Sequence, residues 1–410
     1  MGRPDCKGRN GVSRRNVIVL LLGGAAVAAA VPGASAEASV VRVGYIRSLA
    51  RHPVISLFDQ PAPDAGLAGA KLAMDDNNTT GTATGQSFEL IDKPVRRNGD
   101  PVAMLDQLAD QGVRLVMTDL PAPDVLLKMA DAGRDKGLTL FNLAAEDDLL
   151  REQDCRGNVI HVAPTRSMLA DALAQYLVWK KWTRWFLITG SHPDDKLLAD
   201  AYRRSAKRYG ARIVAERVSP DTGGARETDS GVVQVQQQMP VLTQNAPDYD
   251  VVVAADENQV FAGYLPYRTW DARPVVGSAG LEPVTWDPSS ESWGGTQLQD
   301  RFIRLFHRRM MALDMQAWTG ARMIGEAASR TNSTDPDVLV KYIKSPGFGV
   351  AAYKGQLLTL RDWNLQLRQP ILLADGRTVV SVSPQPGFLH QVTELDTLGA
   401  DRPETKCRLP

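Results

Sequence analysis

The sequence predicts an α/β protein built from two successive doubly wound sheets. Three observations carry this. Short β-branched runs alternate with helical stretches of 12–17 residues, which implies parallel strand pairing through βαβ units. The alternation runs through one block and resumes in a second after residues 155–164. At 410 residues, the chain is also longer than one core usually supports.

In the first block, residues 40–46 (VVRVGYI) read as a buried strand. Residues 64–77 place Leu67, Ala70, Leu72, Ala73 and Met74 at helical spacing. Residues 87–92 form a strand. Residues 100–111 form a helix, with Asp100 as its N-cap and Pro101 at its first position. Strand 113–118, helix 124–136 and strand 137–142 follow, with Asp124 and Asp147 suited to helix N-termini.

The second block contains strand 158–163, helix 166–181, strand 184–189, helix 193–209 and strand 210–217. A polar, glycine-containing loop covers 219–231. A glutamine-rich helix (231–245) and strand 249–254 complete the block. Beyond a short strand at 274–277 the regularity changes. Residues 281–295 read as an irregular crossing, and helices follow at 297–313, 314–330 and after Asp335-Pro336. Extended runs at 356–360, 370–373 and 379–382 close the chain, with a turn at Asp375-Gly376.

The N-terminus reads as an export signal. Basic residues precede an apolar run from Val17 to Val31, which ends in Pro32, Gly33 and the A-x-A pattern Ala34-Ser35-Ala36. Arg14 and Arg15, directly before that run, suit a twin-arginine signal. An ordinary secretory signal is the alternative. The expectation is cleavage near Ala36, with residues 1–36 removed and a periplasmic mature chain. Cys155 and Cys407 then remain as an even pair in an oxidising compartment and are expected to form a disulfide. Without the five basic residues and one acid of the first 36 positions, the 47 basic and 47 acidic residues become 42 and 46, about −4. That balance shows no nucleic-acid footprint.

The stretch GLAGAKLAMDDNNTTGTATGQSFELID (66–92) resembles the type I periplasmic binding proteins of the branched-chain amino-acid-binding kind. It matches their helix, asparagine-containing turn, Gly-rich loop and second strand. KGQLLTLRDWNLQLRQP (354–370), GFLH (387–390) and DTLGADRPETKC (396–407) are similar to one subgroup. Its members are ABC transporter substrate-binding proteins associated with pyrroloquinoline-quinone-dependent alcohol oxidation.

The resemblance implies two Rossmann-like lobes joined by three hinge crossings, with ligand held between them. Lobe 1 would be 40–156 plus 290–352, and lobe 2 would be 157–289 plus 353–410. It implies the periplasmic solute-binding subunit of an ABC importer, with permease subunits as partners. The protein would act as a monomer, without cofactor or nucleic acid. A periplasmic sensor or an accessory protein of a quinoprotein alcohol dehydrogenase is the alternative.

Candidate ligand contacts lie where strands end: Ser48, Arg51, Asp119, Asn142, Gly190, Ser191, His192, Asp256 and Glu257, with Trp286 as an aromatic surface near the second crossing. The loops after the third and fourth strands carry Pro121, Pro123 and Ala144-Ala145. They lack the hydroxyl residues with which the family's amino-acid binders grip a carboxylate. Branched-chain amino acids are therefore not the expected ligand.

Enzymatic readings find no support. The sequence has no G-x-S-x-G elbow, H-E-x-x-H, Walker loop or G-x-G-x-x-G after a strand. The five histidines, His52, His161, His192, His307 and His390, are scattered, and no metal site is expected.

Overall fold

Hydrophobic strands buried on both faces need helices on both sides, and two sheets obtain them here. The fold is that of a computed structural model, which describes residues 2, 39–49, 60–221 and 235–409. The export signal, Arg51 and most of the 219–231 loop lie outside the described residues.

The first sheet uses β1 (Ser39–Ser48), β2 (Gln86–Val95), β3 (Leu115–Asp119), β4 (Thr139–Asn142) and β5 (Val159–His161), all parallel, in the order β2-β1-β3-β4-β5. Helices α1 (Leu67–Thr84), α2 (Pro101–Asp110) and α3 (Pro123–Arg134) connect its strands. Leu105, Leu108, Leu126 and Met129 of α2 and α3 cover one face. Helix α1 covers the other, together with later helices.

A chain passage at 162–165 leads to α4 (Arg166–Trp179) and the second sheet. Its strands are β6 (Arg184–Gly190), β7 (Arg212–Ser219), β8 (Val251–Ala255) and β9 (Val275–Gly277), parallel and ordered β7-β6-β8-β9. Helices α4 and α5 (Pro193–Tyr209) pack on one face with the fully buried Trp185 and Leu187. Helices α6 (Val235–Thr243) and α7 (Leu265–Arg268) supply the other. Each such buried side chain contributes roughly 1.5–3 kcal/mol.

The second passage begins after β10 (Glu282–Val284) and returns the chain to the first sheet through α8 (Gly295–Phe306), α9 (Ala312–Thr331) and α10 (Pro336–Ile343). Strands β11 (Val350–Ala351), β12 (Leu357–Leu360) and β13 (Leu367–Arg368) form a small antiparallel sheet. Leu358 and Leu367 join the same core. The third passage leads to β14 (Ile371–Ala374) and β15 (Val379–Ser383), which pair as β10-β14-β15 beside α4. The fold is thus two Rossmann-like units joined by three passages.

Several elements depart from the sequence reading. Helix α1 does not stop at Asn77. Asn77 is buried and donates to Ala321 O of α9 at 3.0 Å. The polar run continues the helix, and Thr79 and Thr80 return their hydroxyls to Asp75 O and Asp76 O one turn back. The break between α8 and α9 falls at 307–311, where His307 adopts φ 56°. The 281–295 segment is not wholly irregular, because β10 pairs with β14. Asp124 lies in the first turn of α3 and pairs with Lys128, while Ala122 occupies the cap position.

The first and third passages run side by side. His161 N donates to Leu365 O at 2.9 Å. Gln366 Nε2 donates to His161 O at 3.2 Å and Ala163 O at 3.0 Å, and Gln369 Nε2 to Val162 O at 2.8 Å. Buried Arg151 donates to Ala145 O, Ala163 O and Gln366 Oε1. These bonds satisfy polar groups that burial would otherwise penalise. Cys155, just before β5, is bonded to Cys407 with a Cα–Cα distance of 5.6 Å, which ties down the C-terminal tail.

Candidate functional site

In a sheet ordered β2-β1-β3, the connections after β1 and β3 leave in opposite directions and open a crevice at the strands' carboxyl ends. A cavity of about 460 Å³ occupies this place in the first sheet. It is lined by Arg47, Ser48 and Leu49 from the end of β1, Asp119 and Pro121 from the end of β3, residues 60–63, Ala65 and Leu313. Two sequence-expected contacts, Ser48 and Asp119, therefore share one cavity.

Asp119 is the chemical centre of this cavity. Tyr45, a fully buried residue of β1, donates its hydroxyl to Asp119 Oδ2 at 3.3 Å. Burial pushes the Asp119 carboxyl up, the Tyr45 hydrogen bond and Arg47 pull it down, and nearby Asp314 adds to the rise. The result is a pKa of about 7. Arg47 is committed elsewhere: Nε and Nη2 reach Asp92 at 3.0 and 3.1 Å, and Nη1 reaches Pro63 O at 3.2 Å.

Gly66, before α1, holds φ +75°. A Cβ there would lie 2.3 Å from Tyr45 Oη and 3.2 Å from Asp119 Oδ2, so only glycine leaves room for the pair. Its N–H donates to Asp314 Oδ1 at 2.9 Å. The walls include Pro61, Pro63 and Pro121, none of which has a backbone N–H to offer.

A second cluster links loops of the two sheets. Arg166, the first residue of α4, pairs with Asp147 after β4 at 2.9 Å, and with Glu257 after β8 through Nε and Nη2, the latter at 2.7 Å. Arg166 N also donates to Glu146 O. Burial disfavours the Arg166 cation, but Glu257, Asp147 and Glu146 outweigh it and its pKa is raised. Burial, then the neighbouring Glu257, pushes the Glu146 carboxyl up to about 7 against the pull of Arg166 and Arg151.

The other expected contacts have internal partners. Asn142 is fully buried. Its Nδ2 donates to Ala145 O at 2.8 Å and lies 3.1 Å from His161 Nδ1, and its Oδ1 accepts from Ala144 N and Ala145 N. Asp256 accepts from the N–H groups of Val260, Phe261 and Ala262 and so caps the turn after β8. Gly190 lies against the Asp195 carboxylate, where a Cβ would collide. Ser191 Oγ accepts from Asp221 N at 3.0 Å, and His192 Nε2 lies 2.8 Å from Asp221 Oδ2. Trp286 is 2% exposed and packs in the core beside α9.

Tyr45, Arg47 and Arg166 were not singled out from the sequence. The signal for Tyr45 was a hydroxyl in the apolar 43–46 part of β1; for Arg166, it was a cation at the first position of a helix.

The sequence pattern of the periplasmic binding proteins matches residues 59–357. The chain belongs to the periplasmic binding protein family. No curated protein matches the sequence. Among solved structures, this periplasmic binding protein is similar to a branched-chain amino-acid ABC transporter periplasmic ligand-binding protein from Burkholderia xenovorans LB400. The TM-score is 0.66 at 18% identity, over 83% of this chain and 95% of that one. A solute-binding protein from R. palustris in complex with benzoate gives 0.62 at 11%, over 90% and 100%. An ABC transporter substrate-binding protein from Desulfitobacterium hafniense in complex with Leu gives 0.63 at 15%, over 83% and 99%. These likenesses concern the fold. Among the described residues, no helix of this periplasmic binding protein is long and apolar enough to cross a membrane.

Proposed function

We propose that this protein captures a small uncharged ligand in the periplasm and delivers it to the permease subunits of an ATP-driven importer. Capture proceeds by closure of two lobes about the three passages, which shifts an open ensemble toward a closed one. The lobes are the units built on the first and second sheets, with Arg166 near the first passage between them. We read the protein as a monomeric binding subunit rather than an enzyme, in keeping with its family.

The observation that carries the ligand class is the Tyr45–Asp119 pair in a cavity walled by Pro61, Pro63 and Pro121. A zwitterion needs several donors converging on its carboxylate, because a buried charge without partners costs several kcal/mol. Among the described residues, three of the walls are prolines without a backbone N–H, Arg47 is already bound to Asp92 and Pro63 O, and the cavity sets an acid, Asp119, on its surface. A neutral hydroxyl or carbonyl compound avoids that cost and hydrogen-bonds to Asp119 in its protonated form. The resemblance to binding proteins associated with quinone-dependent alcohol oxidation favours the same class.

Mass spectrometry of the small molecule released by heating protein purified from its native periplasm tests the proposal. A neutral compound is expected; a stoichiometric α-amino acid would overturn the reading.

A further inference from the structure

A second cavity, of about 510 Å³, lies between α1, α8, α9 and residues 351–353. The rings of Trp293, Trp318 and Tyr353 wall it, and Asp76, Arg301 and Arg322 lie at its polar edge. Trp293 and Tyr353 both hold left-handed backbone, at φ 51° and 53°. Bulky residues rarely occupy that region, and each such residue costs roughly 1–3 kcal/mol unless its surroundings enforce it.

Two glycines leave room for these rings here. A Cβ on Gly355 would lie 2.5 Å from the Trp293 indole, and one on Gly294 would lie 3.2 Å from the Tyr353 ring. The two segments thus interlock, each glycine making room for the other segment's aromatic ring. Trp318 is 3% exposed, with its ring 5.4 Å from that of Tyr353. Trp293 is held in this conformation yet remains 56% exposed, so core packing does not account for it.

The charges select among occupants. Asp76 accepts from Trp318 Nε1 at 2.9 Å and from Arg301. Arg322 donates to Asn77 Oδ1, and among the described residues no carboxylate forms an ion pair with it. Two guanidinium groups against one carboxylate leave the cavity cationic. Aromatic faces accept flat rings and also cations, but the surplus positive charge opposes a cation. A guanidinium takes a carboxylate in a paired, charge-assisted geometry.

We propose that this cavity is a second binding site, which takes a flat aromatic carboxylate stacked on Trp293 with its anionic group at Arg322. Among the described residues the site shares no lining residue with the cavity at Asp119, so it stands independently of the ligand class proposed there. Trp293 belongs to the second passage and rests on Gly355, ahead of the third, so an occupant also bears on the hinge.

Titration of the full chain with naphthoate, followed by calorimetry and tryptophan fluorescence, tests the site. Saturable binding is expected to weaken about tenfold or more, roughly 1.4 kcal/mol, in both Trp293→Ala and Arg322→Gln. Trp293→Phe, which keeps a ring, is expected to restore most of it. Naphthylmethanol, of the same shape without the charge, is expected to bind about tenfold more weakly than naphthoate. No saturable binding by the wild type would overturn the proposal. Equal binding by Trp293→Ala, or loss on Asp119→Asn with retention in Trp293→Ala, would also overturn it.

Discussion

Arg166 grips Glu257 with two parallel hydrogen bonds while the rest of its guanidinium pairs with Asp147, so one side chain at the start of α4 joins loops from both sheets. The side chains of Arg166 and Asp147 are 8% and 5% exposed. In such surroundings the net worth of a pair is small, but breaking it by removing one partner strands a charge.

Arg166→Met is therefore expected to destabilise the protein by about 3 kcal/mol, because Asp147 and Glu257 lose their cation together. Urea denaturation at pH 7 measures this directly. The loss should shrink as pH falls and the stranded Glu257 carboxyl, which burial already pushes up, takes up a proton. A loss that is constant between pH 7 and pH 5 would show that Arg166 acts through packing alone.

Asp119 titrates near 7 in the folded chain, against 3.8 for an ordinary aspartate. Its folded pKa is raised, so the folded state binds more protons than the unfolded one between those values. Stability then falls as pH rises through that window. Asp119→Asn lacks this proton and should gain about 1–3 kcal/mol on the wild type between pH 4 and pH 8, since a tenfold change in proton affinity is worth roughly 1.4 kcal/mol. Denaturation midpoints of the two proteins across that range check the sign. A wild type that gains on the variant as pH rises would place the Asp119 pKa below its unfolded value.

The Cys155–Cys407 bond closes a loop with a sequence separation of 252. Chain-entropy arithmetic gives about 5 kcal/mol as its upper worth, with less in practice. Cys155→Ser with Cys407→Ser should lower the thermal midpoint and leave the tail after residue 399 open to proteases. Limited proteolysis with intact-mass readout tests both effects. An uncut tail in the double variant would show that the Arg204 and Arg208 bonds to Gly399 O suffice to hold it.

The two-sheet plan was legible because it rests on local signals. The β-branched runs became β1, β3, β6 and β8, and Asp100 accepts from Val102 N as its N-cap reading required. What escaped the sequence depends on distant partners. The continuation of α1 past Asn77 is secured by Ala321, 244 residues away. The role of Arg166 is set by Glu257, 91 residues away. Asn142 and Asp256 do stand at strand carboxyl ends, but their side chains are satisfied by backbone within a few residues. Position at a strand end marks the neighbourhood of a site, and the available hydrogen-bonding capacity decides which residues face a ligand. Ser48 and Asp119, at the ends of β1 and β3, line one cavity, while Tyr45 is brought in by a contact across 74 residues.

The central claim is that the crevice beside Asp119 excludes zwitterionic amino acids, and calorimetric titration of ligand-stripped, refolded protein with leucine tests it most directly. The account predicts no saturable heat in the micromolar range, where a dedicated binder would have a binding free energy of about −8 kcal/mol. Saturable micromolar binding of leucine, lost on Asp119→Asn, would contradict it and show that the crevice supplies the donors a carboxylate needs.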